Sequence, residues 1–143
     1  MKLCKFSALV LSFLLALTLC ACSGTNEKKQ IAVIVKGTES DFWHRVKSGV
    51  DAAATEYNVD VTFDGPENEE DSDAQISLIN RAIKNGAGAI VLSAIDFEKS
   101  SEAVNAAARA GIKIVTIDSA VNSKNVSAFI GTDNKEAGKA AAQ

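Results

Sequence analysis

From residue 31 to the end of the chain, short runs rich in valine and isoleucine alternate with longer stretches whose apolar positions recur every three or four residues. The short runs predict strands over 31–35, 59–63, 89–92, 112–117 and 126–130, and their near-continuous apolar content predicts burial on both faces. The longer stretches predict helices over 42–57, 72–85, 99–110 and 135–143. In the second of these, Ile76, Ile79, Ala82 and Ile83 form one apolar stripe to lay on a sheet. Asp41, and Ser100 or Ser101, are placed as N-caps, while Asn85-Gly86 and Gly111 supply the C-terminal stops. The alternation of strand and helix indicates βαβ units, and so an α/β three-layer sandwich around a parallel sheet.

Ahead of this pattern stands a different one. Basic Met1-Lys2-Leu3-Cys4-Lys5 runs into an apolar stretch of about 14 residues, shorter than the roughly 20 that a spanning helix needs. Polar residues 23–30 follow at once. The arrangement reads as a signal peptide over 1–21 and a polar tether over 22–30. The junction Leu19-Cys20-Ala21-Cys22 resembles a bacterial lipobox, which implies lipid on Cys22 and an extracytoplasmic, membrane-anchored location. An ordinary cleavage site followed by an incidental cysteine is the alternative. All three cysteines lie at or before position 22, so no disulfide and no cysteine-bound metal is expected in the body. Loss of Lys2 and Lys5 with the leader deepens the net charge from −3 to about −5, which argues against nucleic acid as a partner.

In an open parallel sheet, ligands bind beyond the carboxyl ends of the strands. The residues there are Lys36 to Trp43 after the first strand, Asp64-Gly65-Pro66 after the second, Ser93 to Asp96 after the third, Asp118-Ser119 after the fourth and Gly131 to Asn134 after the fifth. Lysine, carboxylates, hydroxyls and an adjacent Phe42-Trp43 pair suit a sugar, whose hydroxyls take polar partners and whose C–H faces take aromatic planes. The same residue types gather at the turns of any α/β domain for capping, and that reading stays open. His44 has no partner that would make it a base or a ligand. The run Glu67, Glu69, Glu70 and Asp71 is read as a solvated loop, and no metal site is assigned. No phosphate loop, nucleophile elbow or paired His and Cys or Ser is present, so no enzyme activity and no cofactor are expected.

The ordered series Phe42-Trp43, Gln75-Ile76, residues 88–92, residues 110–115, Ile117-Asp118 and residues 131–138 resembles the first part of type I periplasmic sugar-binding proteins of the ribose- and galactose-binding kind. The resemblance implies an N-terminal lobe over 31–132, a hinge crossing at Thr132 and Asp133, and the start of an incomplete second lobe over 133–143, in a chain that looks cut short. It further implies that Phe42 and Trp43 belong to an aromatic pair sandwiching the sugar ring, that Asp118 grips hydroxyls, and that Ser93 lines the cleft floor. Lys36 stands where the family has a small polar residue, and Ser119 stands where the ribose binders have arginine, so the ligand implied is a sugar or polyol rather than ribose in particular. The function implied is capture of that solute for the permease of an ABC importer. Presentation of the ligand to a membrane kinase or chemoreceptor is the alternative.

Overall fold

The computed structural model describes residues 30–143; the expected signal peptide, Cys22 and nearly all of the expected tether lie outside the described residues. Nine elements follow one another, strand and helix alternating except where β5 directly follows β4: β1 (Gln30–Ile34), α1 (Asp41–Tyr57), β2 (Asp60–Asp64), α2 (Ser72–Lys84), β3 (Ala89–Leu92), α3 (Ser101–Arg109), β4 (Lys113–Ile117), β5 (Ala128–Ile130) and α4 (Asn134–Ala141). The strands form one parallel sheet in the order β2-β1-β3-β4-β5. From β1 the chain steps outward to β2, then passes back over β1 to β3 and outward again. Strand order therefore reverses between β1 and β3, the place where sheets of this kind hold ligands.

Side chains alternate along each strand and divide the core in two. Ala32 and Ile34 of β1 join Ile90, Leu92 and Ile114 beneath α2 and α3. Val33 and Val35 face the other way, with Trp43 of α1 and the partly buried Val61, Phe63 and Val91. Two helices on one face and one on the other give the three layers. Each fully buried Ile or Leu contributes about 1.5–3 kcal/mol relative to exposure, so the first cluster, with Ile34, Ile79, Ile90, Leu92 and Ile114 at most 2% exposed, carries most of the stability.

Two local expectations are corrected. The strands are not all buried on both faces: β2 and β5 are edge strands, β2 is half-exposed, and every residue of β5 is exposed. Asp41 does not cap α1. The N-cap is Ser40, whose hydroxyl accepts from the Trp43 N–H at 3.4 Å, and Asp41 supplies the negative charge of the first turn. Ser100 takes the N-cap position of α3 without a capping hydrogen bond, and the Ser101 hydroxyl donates instead to the Asn122 carbonyl. The stops expected after α2 and α3 do turn on left-handed glycines, Gly86 and Gly111.

Candidate functional site

Backbone pairing persists one step beyond the strands. Val35 N–H donates to the Asp64 carbonyl and Ser93 N–H to the Ile34 carbonyl, each at 2.9 Å, and Asp118 N–H donates to the Ile130 carbonyl at 3.0 Å. This brings the first residues after β1, β3 and β4 side by side. Their side chains then meet: Asp118 Oδ2 accepts from Lys36 Nζ and Ser93 Oγ, each at 3.0 Å, and from Ser119 Oγ at 3.1 Å. Three donors on one oxygen leave Asp118 Oδ1 with no hydrogen-bond donor among the described residues. Partial burial opposes ionisation of Asp118, but the hydrogen bonds from Lys36, Ser93 and Ser119 and the Lys36 charge outweigh it. They hold the carboxyl below the usual aspartate range.

Asp118 also has a left-handed backbone, φ 59°, and the Ser119 N–H turns back to the Ile117 carbonyl. A non-glycine residue in that region costs on the order of 1 kcal/mol or more, and such strain collects at ligand sites. Its role differs from that of the other acids in these loops. Asp96 Oδ1 accepts from the Lys99 and Glu98 N–H groups, which lowers its pKa; Asp71 accepts from Ala74 N–H and Asp133 from the N–H groups of Lys135 and Glu136. Those acids cap backbone. Asp118 bonds side chains and faces a cavity.

The cavity measures about 420 Å³ and is lined by Lys36, Ser40, Phe42, Trp43, Glu69 and Asp118. Phe42 is 55% exposed and Trp43 only 3%, and their centroids lie 4.7 Å apart at 76°. This edge-to-face contact leaves no room for a ring between the two, so the pair presents one wall, with Phe42 outward and Trp43 rooted in the core. Ser93 is fully buried; it supports Asp118 from behind rather than forming an open floor. Thr132 and Asp133 lie apart from the cavity lining, in the exposed link between β5 and α4.

Two participants went unread in the sequence. Glu69, assigned to a solvated acidic run, accepts from the Trp43 indole N–H at 3.1 Å. It reaches Trp43 because the loops after β1 and β2 touch: a Cβ on Gly65 would lie 3.0 Å from Gly37 Cα, and one on Gly37 would lie 2.8 Å from Glu69 Cγ. Gln75 is fully buried. Its Nε2 donates to the Val35 and Ser93 carbonyls at 3.0 and 2.9 Å, and its Oε1 accepts from Ile95 N–H at 2.9 Å. One amide thus fastens the ends of β1 and β3, from which Lys36 and Ser93 project. The available signal was a glutamine four residues before Ile79, on the core side of α2, where an amide demands partners.

Known proteins resemble this arrangement throughout its length. The D-ribose/D-allose-binding protein of Pseudomonas aeruginosa is 28% identical over 141 residues, covering 86% of this chain and 44% of its own. The ribose import binding protein of Bacillus subtilis is 28% identical, covering 84% of this chain and 39% of its own. A carbohydrate transporter solute binding protein from Agrobacterium radiobacter, solved with D-arabinose, matches with a TM-score of 0.77 at 34% identity, over 82% of this chain and 40% of its own. An ABC transporter solute binding protein from Agrobacterium vitis with bound D-fucose matches at 0.75 and 38%, over 79% of this chain and 40% of its own. The chain spans less than half the length of these relatives. Its parallel five-stranded sandwich is one lobe of the type I periplasmic binding fold, and the family described as periplasmic binding protein domain matches it over residues 31–143, so the chain belongs to that family.

Proposed function

We propose that this chain is the first lobe of an extracytoplasmic solute-binding lipoprotein that captures a sugar or polyol and delivers it to the membrane permease of an ABC importer. The observation that carries the reading is the meeting of Asp118, Lys36 and the Phe42-Trp43 wall around one cavity at the sheet's switch point. Asp118 Oδ1 and the remaining Lys36 N–H groups offer the charged acceptor and donor that vicinal hydroxyls need, and Phe42 offers an apolar plane for the C–H face. Ser93 and Ser119 hold the Asp118 carboxylate in place. The sugars named for the relatives, D-ribose, D-allose, D-arabinose and D-fucose, are all neutral, in keeping with such a site.

In this proposal residues 1–21 are a signal peptide, Cys22 carries the lipid, residues 22–30 are a tether and residues 31–132 form the lobe. Thr132 and Asp133 are the first hinge crossing and residues 133–143 begin the second lobe, which closes over the ligand. In this reading the site holds a ligand, because Lys36, Ser93 and Ser119 keep Asp118 ionised and fixed in place. The test is a thermal-shift screen of the two-lobed protein against D-ribose, D-allose, D-arabinose and D-fucose. A ligand that binds only the folded state raises the melting temperature. A rise with at least one sugar is expected, and a flat response across the panel and a wider set of polyols rejects the proposal.

A further inference from the structure

The Asp118 side of the cavity accounts for half of its polar equipment; Glu69 supplies the other half. Glu69 Oε1 is engaged by the Trp43 indole, while Oε2 accepts from no group among the described residues, although Glu69 lines the cavity with Lys36 and Asp118. Reaching that position requires the bare backbones of Gly37 and Gly65 in contact beneath it. The loop is further shaped by Asn68, whose side chain accepts from Glu70 N–H and whose carbonyl accepts from Asp71 N–H. Glu69 is exposed, but its carboxylate is tied to the Trp43 indole.

We infer that Glu69 is a ligand-contacting and specificity-determining residue of the sugar site: Oε1 fixes the Trp43 ring and Oε2 accepts a ligand hydroxyl opposite Asp118 Oδ1. The inference rests on the sugar-binding reading above. The charges sharpen it. Lys36 is paired with Asp118, so the Glu69 charge has no cation against it and the cavity wall carries a net negative charge. Sugar acids and sugar phosphates are repelled, whereas neutral sugars, whose hydroxyls donate to carboxylates, are accepted.

The experiment uses the full chain, in which Trp43 is the only tryptophan, and follows its fluorescence during titration with D-ribose, D-allose, D-fucose and D-arabinose. In Glu69→Gln the amide oxygen still accepts from the indole, so the unliganded emission should stay as in the wild type. Loss of the charge should raise the dissociation constant of the responding sugar about tenfold. A residue that only props the tryptophan would leave that constant unchanged in Glu69→Gln, and this result overturns the inference. A second comparison by calorimetry removes the prop altogether: in a Trp43→Phe background there is no indole N–H to hold, and Glu69→Gln should still weaken the sugar by a similar factor. No further loss there also overturns it. If the wild-type chain responds neither to the four sugars nor to a wider set of polyols, the sugar reading fails and takes this inference with it, a result distinct from binding that is indifferent to Glu69.

Discussion

Replacing Gln75 with leucine tests whether one buried amide holds the two strand ends that carry the site. Leucine is close to glutamine in size, so the substitution keeps the packing against Ile79 and removes the three hydrogen bonds. Val35 and Ser93 are fully buried, so their carbonyls lose a donor that water cannot replace, at about 1–3 kcal/mol each. Ile95 is only partly buried, and water can recover some of its N–H bond. The sum is a loss of about 3–5 kcal/mol, a large share of the 5–15 kcal/mol by which domains are stable. Urea denaturation followed by Trp43 fluorescence and by circular dichroism measures it, with Ile79→Val as a packing control expected to cost about 0.5–1.5 kcal/mol. Sugar affinity should fall as well, because Lys36 and Ser93 leave from the loosened ends. A Gln75→Leu protein within about 0.5 kcal/mol of wild type, the scale of an ordinary surface change, would refute the reasoning.

Asp118→Asn should keep the left-handed turn, which asparagine tolerates, while weakening sugar binding by at least ~1.5 kcal/mol in calorimetry, the value of a charge-assisted hydrogen bond. Asp118→Ala should add a stability loss of about 1 kcal/mol from the strained backbone, visible as a lower urea midpoint. Because the folded state lowers the Asp118 pKa, its contribution is complete above the ordinary aspartate pKa and disappears only as pH falls through the lowered value. Sugar affinity should therefore be flat from neutral pH down to the ordinary aspartate pKa of about 3.9 and decline only below it; a decline centred between pH 6 and 7 would point to another group. Cys22→Ala should abolish incorporation of labelled fatty acid, and incorporation that survives the substitution contradicts lipid on Cys22.

The central strands were legible because buried parallel strands are written as runs rich in valine and isoleucine: β3 was read at its observed bounds, and β1 and β4 within one residue. The exposure of the edges was not. Val126, Phe129 and Ile130 read as one buried strand, yet Val126 lies before β5 and packs only partly against the core, while Phe129 and Ile130 are exposed, and apolar content alone does not distinguish a covered strand from an uncovered one. Asp118, Lys36, Ser93 and Ser119 could be nominated because topology places residues after strands at the ligand end of the sheet. That they converge on one carboxylate oxygen depends on the left-handed turn at Asp118, which no local signal announces. Glu69 was lost among neighbouring acids because its position depends on Gly37 and Gly65, 28 residues apart in the chain, meeting face to face.

The most direct test of the proposed site is a residue-resolved NMR titration of the chain with D-ribose, D-allose, D-fucose and D-arabinose. A single lobe cannot enclose its ligand, and an open half-site competes with water and retains only ~1 kcal/mol or so per hydrogen bond. The account therefore predicts millimolar or weaker binding by at least one of these sugars, with shifts centred on Lys36, Phe42, Trp43, Glu69, Asp118 and Ser119. Shifts centred elsewhere on the lobe, or none at saturating sugar, would contradict it.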